Sequence, residues 1–510
     1  MTQTSVALPA LNRSFLNTLR ERGDGVVSVP DEALLDLPEL AVQFGTGALL
    51  RGFLDDFLHR ANVAGMFGGR VAMIASTGSS RDRAIRDQDG LYTLVVEGIE
   101  NGERVQETRV ISSVSRAFSA SDEWQDVLAL ARMPQLQYVF SNTTEVGIVA
   151  DEVAQVDDAP PKSFPAKLTR FLWERAQALE FSSTAGLVVI PCELIENNGA
   201  RLKEIVVSLA HRWQLGSTFA EWLDESVQFC NTLVDRIVPG TPRGSDAQRI
   251  TDMLGYEDAL LTCCEPYRLF AIEGDEALRA KLTWTNVDSG IVVAPDISPY
   301  RKRKVRLLNG AHSLMVSASL LLGFEIVRDA VNDARIHAFV RRAMFDEIAP
   351  VLGAEGAVEF AEAVLDRFRN PFINHALIDI TLQATMKVRV RVVPSVQRYI
   401  EVHGRVPHAL AFGFATFLLF MDGRTQAERR ERGLSVPPDE QGERLHAMWK
   451  TVPNDVAVSM GAFVDAVCRD TALWGTDLTQ LPGFCAAVAE HLQRARSAGV
   501  GAALEAMIAG

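Results

Sequence analysis

Over the first 300 positions, short apolar runs alternate with amphipathic stretches. The runs at 40–44 (LAVQF), 70–76 (RVAMIAS), 91–99 (LYTLVVEGI), 137–142 (QYVFSN) and 186–191 (GLVVIP) are rich in β-branched and aromatic residues and read as strands. Between them, 48–63, 121–132 and 165–180 carry apolar residues at helical spacing. That alternation predicts a parallel, doubly wound sheet. Residues 91–110 differ: two β runs flank GluAsnGlyGlu, with Asn101-Gly102 as a hairpin turn, and predict an antiparallel insertion or extension of the sheet.

Beyond about residue 300 the strand pattern fades. Segments 303–322, 331–349, 357–369, 408–420, 455–466 and 483–509 have helical spacing, and the polar tract 423–433 reads as a solvated loop. The expected fold is therefore α/β: an N-terminal Rossmann-type doubly wound sheet with extensions over 1–295, then a mainly α-helical C-terminal domain over 296–510. The join falls at ValAlaProAspIleSerPro (293–299), which holds two prolines.

At 510 residues the chain is too long for one core, which agrees with two domains. The net charge of −14, with no Lys/Arg-rich tract, argues against a nucleic-acid partner; an anionic substrate would need a local cationic pocket. Cys192, Cys230, Cys263, Cys264, Cys468 and Cys485 form no CxxC pair, the pattern of a reduced, cytoplasmic protein without a structural zinc. The first residues lack a basic segment followed by an apolar core, so no signal peptide is expected. No apolar run approaches the roughly 20 residues of a membrane helix.

Two segments carry candidate chemistry. Gly45 and Gly47 follow directly on a strand and open a helix, which permits a tight turn and lets backbone N–H groups approach a pyrophosphate. The third fingerprint glycine would fall at Leu50, and the nearest substitute is Gly52. No carboxylate ends the second strand before Asp82; Ser76-Thr77-Gly78-Ser79-Ser80-Arg81 stands there instead, and its hydroxyls and arginine could accept a 2′-phosphate. NAD and NADP both stay open. The second segment is RKVRLLNGAH, where Lys304 can exchange a proton with an alcohol if burial or nearby Arg303 and Arg306 lower its pKa. Asn309 can donate to the resulting oxyanion and His312 can orient it. Asn309 and His312 share a helix face, whereas Lys304 stands eight residues from His312, about 12 Å along an α-helix. Gly310 at mid-helix costs about 1 kcal/mol and implies something packed against it.

QFGTGALLRGF, SNTTEVG, PAKLTRFLWER, IPCELIENNG, NTLVDRIVPG, RKVRLLNGAH and RFRNPFINH occur in the order found in the polyol-specific long-chain dehydrogenases. From about 38 to 395 the chain resembles this mannitol dehydrogenase family, with wording nearest its hexuronate-reducing branch. The resemblance implies a Rossmann-type domain, a helical C-terminal domain, no catalytic metal and hydride exchange with NAD. It implies a cofactor site at Phe44, Gly45, Thr46, Gly47, Ala48, Leu49, Asn142 and Thr143. It makes Lys304 the general base, Asn309 an oxyanion donor, His312 a substrate contact, and Asp235 a residue near the substrate. Where many members carry CysAspAsn, this chain has Cys192-Glu193-Leu194; Leu194 cannot donate, so Asn197 or Asn198 substitutes or the oxyanion hole has one side-chain donor fewer.

A hexuronate needs a cation for its carboxylate, and Arg367, Arg369, His375, Lys387 and Arg389 cluster in RFRNPFINH…TMKVRV. The expected partner is a small sugar acid or polyol, with no nucleic acid and no membrane, and the oligomeric state is not legible. A silent dinucleotide-binding redox sensor is the reading from another class.

Overall fold

Among the described residues, twelve strands occupy the first three-fifths of the chain: β1 (Glu39–Phe44), β2 (Arg70–Ala75), β3 (Tyr92–Glu100), β4 (Glu103–Ile111), β5 (Val114–Ser119), β6 (Tyr138–Ser141), β7 (Val188–Pro191), β8 (Gln228–Phe229), β9 (Thr232–Asp235), β10 (Thr262–Cys264), β11 (Leu269–Glu273) and β12 (Ile291–Ala294). The structure, a computed structural model, describes residues 8–76, 80–143, 147–431, 437–455 and 459–510. Thr77, Gly78, Ser79, the Ser80 side chain and Thr144–Val146 of SNTTEVG lie outside the described residues. By internal contacts the chain divides into two units. One holds the residues up to Glu97 with Arg104–Ile297; the other holds Gly98–Glu103 with Ser298–Gly510.

In the first unit, six strands form a parallel sheet in the order β5-β2-β1-β6-β7-β8. Numbered by their place in that sheet the order is 3-2-1-4-5-6, the doubly wound arrangement whose direction reverses between β1 and β6. Both faces are covered, as the continuous apolar runs require. Val42, Phe44, Val139 and Val189 enter one core, while Ala41, Tyr138, Phe140 and Ile190, the alternate positions, enter another. Arg175, fully buried on the helix Phe164–Ala178, donates to the carbonyls of Ala185, Ala131, Met133 and Leu136 at 2.6–3.1 Å.

The hairpin turns as expected, with Asn101 and Gly102 at φ 55° and 78°. It does not extend the main sheet, however. β3 lies between β4 and β10, because Thr262–Cys264 pair in parallel with its free edge and make a separate three-stranded sheet. A third small sheet runs β12-β11-β9.

In the second unit no strand follows Ala294 among the described residues. The helix His408–Phe420 is apolar on every side and almost wholly buried, and Gly413 lets Leu314 pack against its backbone. Its first turn is capped by the buried Glu347 carboxylate, which accepts from the N–H groups of Ala409 and Leu410 at 2.8 Å. The polar tract expected as a loop is helical over Gly423–Glu431. Asp422 accepts from Arg424 N–H at 3.0 Å and starts the turn, and Gln, Ala, Glu and Arg are strong helix formers without an apolar face. No helix among the described residues is long and apolar enough to cross a membrane.

Two predictions follow from these contacts. Arg175→Met leaves three buried carbonyls and one half-buried carbonyl without their donor, and chemical denaturation should show a loss above about 4 kcal/mol. His491 is buried beside the rings of His408 and Phe412, with neither ring nitrogen hydrogen-bonded. Burial, helped by His408, lowers its pKa to about 4. The unfolded chain therefore binds the extra proton first, so stability falls as pH drops from about 6.5 towards 4, by about 2 kcal/mol at pH 5. Melting of His491→Leu should show that acid loss diminished; an unchanged pH dependence would refute the assignment.

Candidate active site

The end of β1 is shaped by close approach to its neighbour β6. Gly45 has φ +122°, and a Cβ there would stand 2.6 Å from the Asn142 carbonyl oxygen. Gly45 N–H donates to the Ile74 carbonyl at 2.9 Å, and Asn142 N–H donates to Phe44 at 3.1 Å. The turn is held from behind: Gln43 Nε2 donates to the Gly45 carbonyl at 3.0 Å and Arg51 Nη1 to the Thr46 carbonyl at 2.5 Å. At Gly47 a Cβ would meet nothing within 4 Å, so the outward side of the turn is open. Ala48 and Leu49 begin a short helical turn, Ala48–Arg51.

Leu50, at the third fingerprint position, is buried under the turn. The close approach belongs to Gly52, where a Cβ would come within 2.7 Å of Val238. On the β6 side, the buried Glu193 carboxylate accepts from Ser141 Oγ at 2.9 Å and from Thr143 N–H and Oγ1 at 3.1 Å. Burial raises its pKa against those bonds. Phe44 to Leu49, Asn142 and Thr143 are thus gathered at one strand-end crevice. A cradle that excludes a Cβ at Gly45 and is open at Gly47 fits a dinucleotide pyrophosphate.

Leu194 is exposed, as is Asn197 at φ 52°. Asn198 is no substitute donor: its amide nitrogen donates to Pro191, Glu193 and Thr232, and its oxygen accepts from Gly199 and Thr232. Asp235 is buried at the end of β9.

In the second unit the lysine segment is not plain α-helix. Ser298–Arg303 and Gly310–Leu321 are α-helical, but Lys304–Asn309 between them is a π-helix. An i→i+5 turn sets the fifth residue over the first. Lys304 therefore stands over Asn309, and His312 follows one α-turn on, along the same face. The wide turn sets Lys304 on the face that Asn309 and His312 share. Arg303 turns away to the Glu355 carbonyl and the rings of Tyr300 and Phe360, and Arg306 donates to the carbonyls of Val390 and Arg391. The neighbour of Gly310 is the Arg391 carbonyl, 3.5 Å from an added Cβ.

His312 stacks on Phe368 at 4.3 Å and meets His375 edge-on at 5.2 Å. Its Nε2 is shielded and has no hydrogen-bond partner in the chain. Burial, then the charges of His375, Arg367, Arg391 and Lys387, hold its pKa well below the ordinary histidine value, so the ring is neutral. Lys387 Nζ donates to the Ile380 carbonyl at 3.0 Å. His375, Arg367 and Lys387 therefore share the surroundings of His312.

Arg369 and Arg389 do not. Arg369 hydrogen-bonds His337 at 3.0 Å, and the Arg389 guanidinium lies against Gly475. The member the sequence pattern passed over is Arg391, whose Nη1 donates to Ser313 Oγ at 3.3 Å, and that hydroxyl donates to the Asn309 carbonyl at 3.0 Å. Spacing carried the signal: Arg391 is four residues from Lys387 and shares its face, while Arg389 is two away and cannot.

Residues 39–286 match the model of the mannitol dehydrogenase Rossmann domain, and 296–496 that of the mannitol dehydrogenase C-terminal domain. The altronate oxidoreductase of Bacillus subtilis is 39% identical over 92% of this chain and 95% of its own length. That of Pectobacterium atrosepticum is 40% identical over 92% and 96%. Among solved structures, Pseudomonas fluorescens mannitol 2-dehydrogenase in a ternary complex with NAD and D-mannitol superposes with TM-score 0.68 at 23% identity, covering 98% of this chain and 99% of that one. Substrate-free D-sorbitol dehydrogenase gives 0.76 at 20%, covering 97% and 100%. The chain belongs to the mannitol dehydrogenase family.

Proposed function

We propose that the protein is an NAD-dependent oxidoreductase that interconverts D-tagaturonate and D-altronate in hexuronate breakdown in the cytoplasm. The observation that carries this reading is the run of relatives named altronate oxidoreductase, near 40% identical over nine-tenths of both chains. The gathering of Arg367, His375, Lys387 and Arg391 around His312 supports it, because a carboxylate-bearing substrate needs local positive charge in a chain of net charge −14. In this reading residues 1–295 bind the dinucleotide and 296–510 carry the acid–base chemistry.

NAD, when bound, supplies the acceptor and donor of hydride. Phe44 to Leu49, Asn142 and Thr143 hold it, with the N–H groups of the open turn at Gly47 towards its phosphates. For reduction of the ketone, protonated Lys304 gives its proton to the carbonyl oxygen as the carbon takes hydride, and for oxidation neutral Lys304 removes the hydroxyl proton. Asn309 donates to that oxygen while its charge is highest. Neutral His312, with Nε2 free of any partner in the chain, hydrogen-bonds and orients it. Arg367, Lys387 and His375 hold the substrate carboxylate, and Arg391 steadies Asn309 through Ser313. Asp235 is assigned to the substrate on the family resemblance. Arg369, bonded to His337, has no part in this scheme.

Two measurements test it. Absorbance of NADH should fall on addition of tagaturonate, and more slowly or not at all with fructuronate or fructose. Activity on fructose alone would mean a neutral polyol dehydrogenase, and preference for fructuronate a mannonate oxidoreductase. Lys304→Ala should lose about 10²–10⁴-fold in kcat near neutrality with NADH affinity nearly intact. Normal turnover of that variant would refute the mechanism, and NADH binding without turnover in the unmodified protein would point to a redox sensor.

A further inference from the structure

The mechanism leaves unused a buried carboxylate at the edge of the dinucleotide crevice. Glu193 stands two residues beyond β7 and turns its side chain onto the end of β6. Its two oxygens are divided between the residues on either side of Asn142. Oε2 accepts from Ser141 Oγ at 2.9 Å, and Oε1 accepts from both the N–H and the hydroxyl of Thr143 at 3.1 Å. The backbone of Glu193 is itself anchored, because its carbonyl accepts from the amide of the fully buried Asn198 at 3.0 Å. Asn142 donates its Nδ2 to the Cys192 carbonyl at 2.7 Å, and Cys192 N–H donates to the Ser141 carbonyl at 2.7 Å.

These bonds fix the polarity of Thr143 as well as its place. Oε1 has two donors aimed at it, one of them a backbone N–H that can only donate, and so acts as the acceptor. The single hydroxyl proton of Thr143 is thereby committed to Glu193, and Thr143 Oγ1 has only lone pairs left. Thr143 is half-buried, next to the Asn142 carbonyl that bars a side chain at Gly45, so those lone pairs lie at the crevice.

We propose that Glu193 makes Thr143 an acceptor-only contact for the nicotinamide half of the dinucleotide, taking a ribose hydroxyl or a carboxamide N–H. This rests on the dinucleotide reading given above and divides the crevice by polarity. The open turn at Gly47 offers N–H donors, which suit phosphate oxygens; Thr143 offers an acceptor, which phosphates disfavour. β1 begins one mononucleotide-binding half of the sheet and β6 begins the other, which places Thr143 with the second nucleotide. Glu193 touches no ligand in this scheme: it is a positioning residue acting through Thr143. Its length matters. An aspartate at 193 is one methylene shorter and cannot reach both Thr143 and Ser141 from the same backbone. A glutamine keeps an oxygen for Thr143 and gives its amide nitrogen to Ser141 Oγ, which can accept as well as donate.

The test is fluorescence titration of the whole protein with NADH, and displacement of that NADH by ADP-ribose and by ADP. Thr143→Val, which keeps the shape and removes the acceptor, should raise the NADH dissociation constant about tenfold, and Thr143→Ser should bind as the unmodified protein does. Glu193→Gln should also bind normally, and Glu193→Asp and Glu193→Leu weakly. Added to Thr143→Val, Glu193→Leu should cost less than about threefold more, because it acts through the same hydroxyl. KM for NADH should follow the dissociation constant while kcat stays within about twofold; a merely structural Glu193 would lower kcat and melting temperature together. If Thr143→Val weakens NADH and ADP-ribose, the donor is a hydroxyl of the nicotinamide-side ribose; if it weakens NADH alone, the donor is the carboxamide. Equal weakening of ADP, which lacks that half, overturns the proposal. So does a Thr143→Val protein that binds NADH normally, or a Glu193→Gln protein as weak as Glu193→Asp. Failure of the unmodified protein to bind NADH at all would remove the dinucleotide reading as well, whereas normal binding by Thr143→Val removes this proposal alone. If Glu193→Leu does not fold, the Thr143→Val and Thr143→Ser pair still decides.

Discussion

The first unit depends on the close approach of two backbones where β1 and β6 end. The Asn142 carbonyl occupies the space a Gly45 side chain would need, so the strand can end there in a left-handed turn only with glycine. That contact fixes the crevice at the reversal of the sheet. Gln43 and Arg51 then hold the turn's carbonyls inward, which leaves its N–H groups for a ligand. The surrounding core supports this arrangement from both faces of the sheet, since alternate residues of each strand enter different clusters.

The second unit has its own local departure from regularity. One π turn at Lys304–Asn309 interrupts a helix that is otherwise α-helical from Ser298 to Leu321. A π turn sacrifices regular hydrogen-bond geometry, and such turns are frequent at functional sites. Here it brings Lys304 over Asn309, onto the face that Asn309 shares with His312. The carbonyls of Val390 and Arg391, gripped by Arg306, bring the neighbouring helix Ala384–Arg391 against the same segment.

Both candidate sites rely on burial to set charge states. Burial keeps His312 neutral among cations, and it raises the Asp55 and Glu193 carboxyls beneath the dinucleotide turn. An ion network holds the opposite state close by: Asp56, buried between Arg109 and Arg236, is lowered to about 2 because the two guanidiniums outweigh burial. Adjacent residues on one helix are thus shifted in opposite directions by burial and by paired charge.

Much of this was legible in the sequence. The five strand runs and the Asn101-Gly102 turn are local patterns, because short continuous apolar runs and positive φ leave their mark on a few neighbouring residues. The order of the motifs placed the chain in its family, and Lys304, Asn309 and His312 were visible as chemistry. What tertiary structure alone decided were contacts between residues distant in sequence. β10 captures the free edge of β3 and keeps the hairpin out of the main sheet; Arg369 goes to His337 while Arg391 joins the His312 surroundings; Asn198 is wholly engaged inside the fold and cannot donate to a substrate. The π turn belongs with these, since backbone spacing by itself favours a continuous α-helix. Each is a choice among partners that local propensity ranks equally, and only packing of the whole unit separates them.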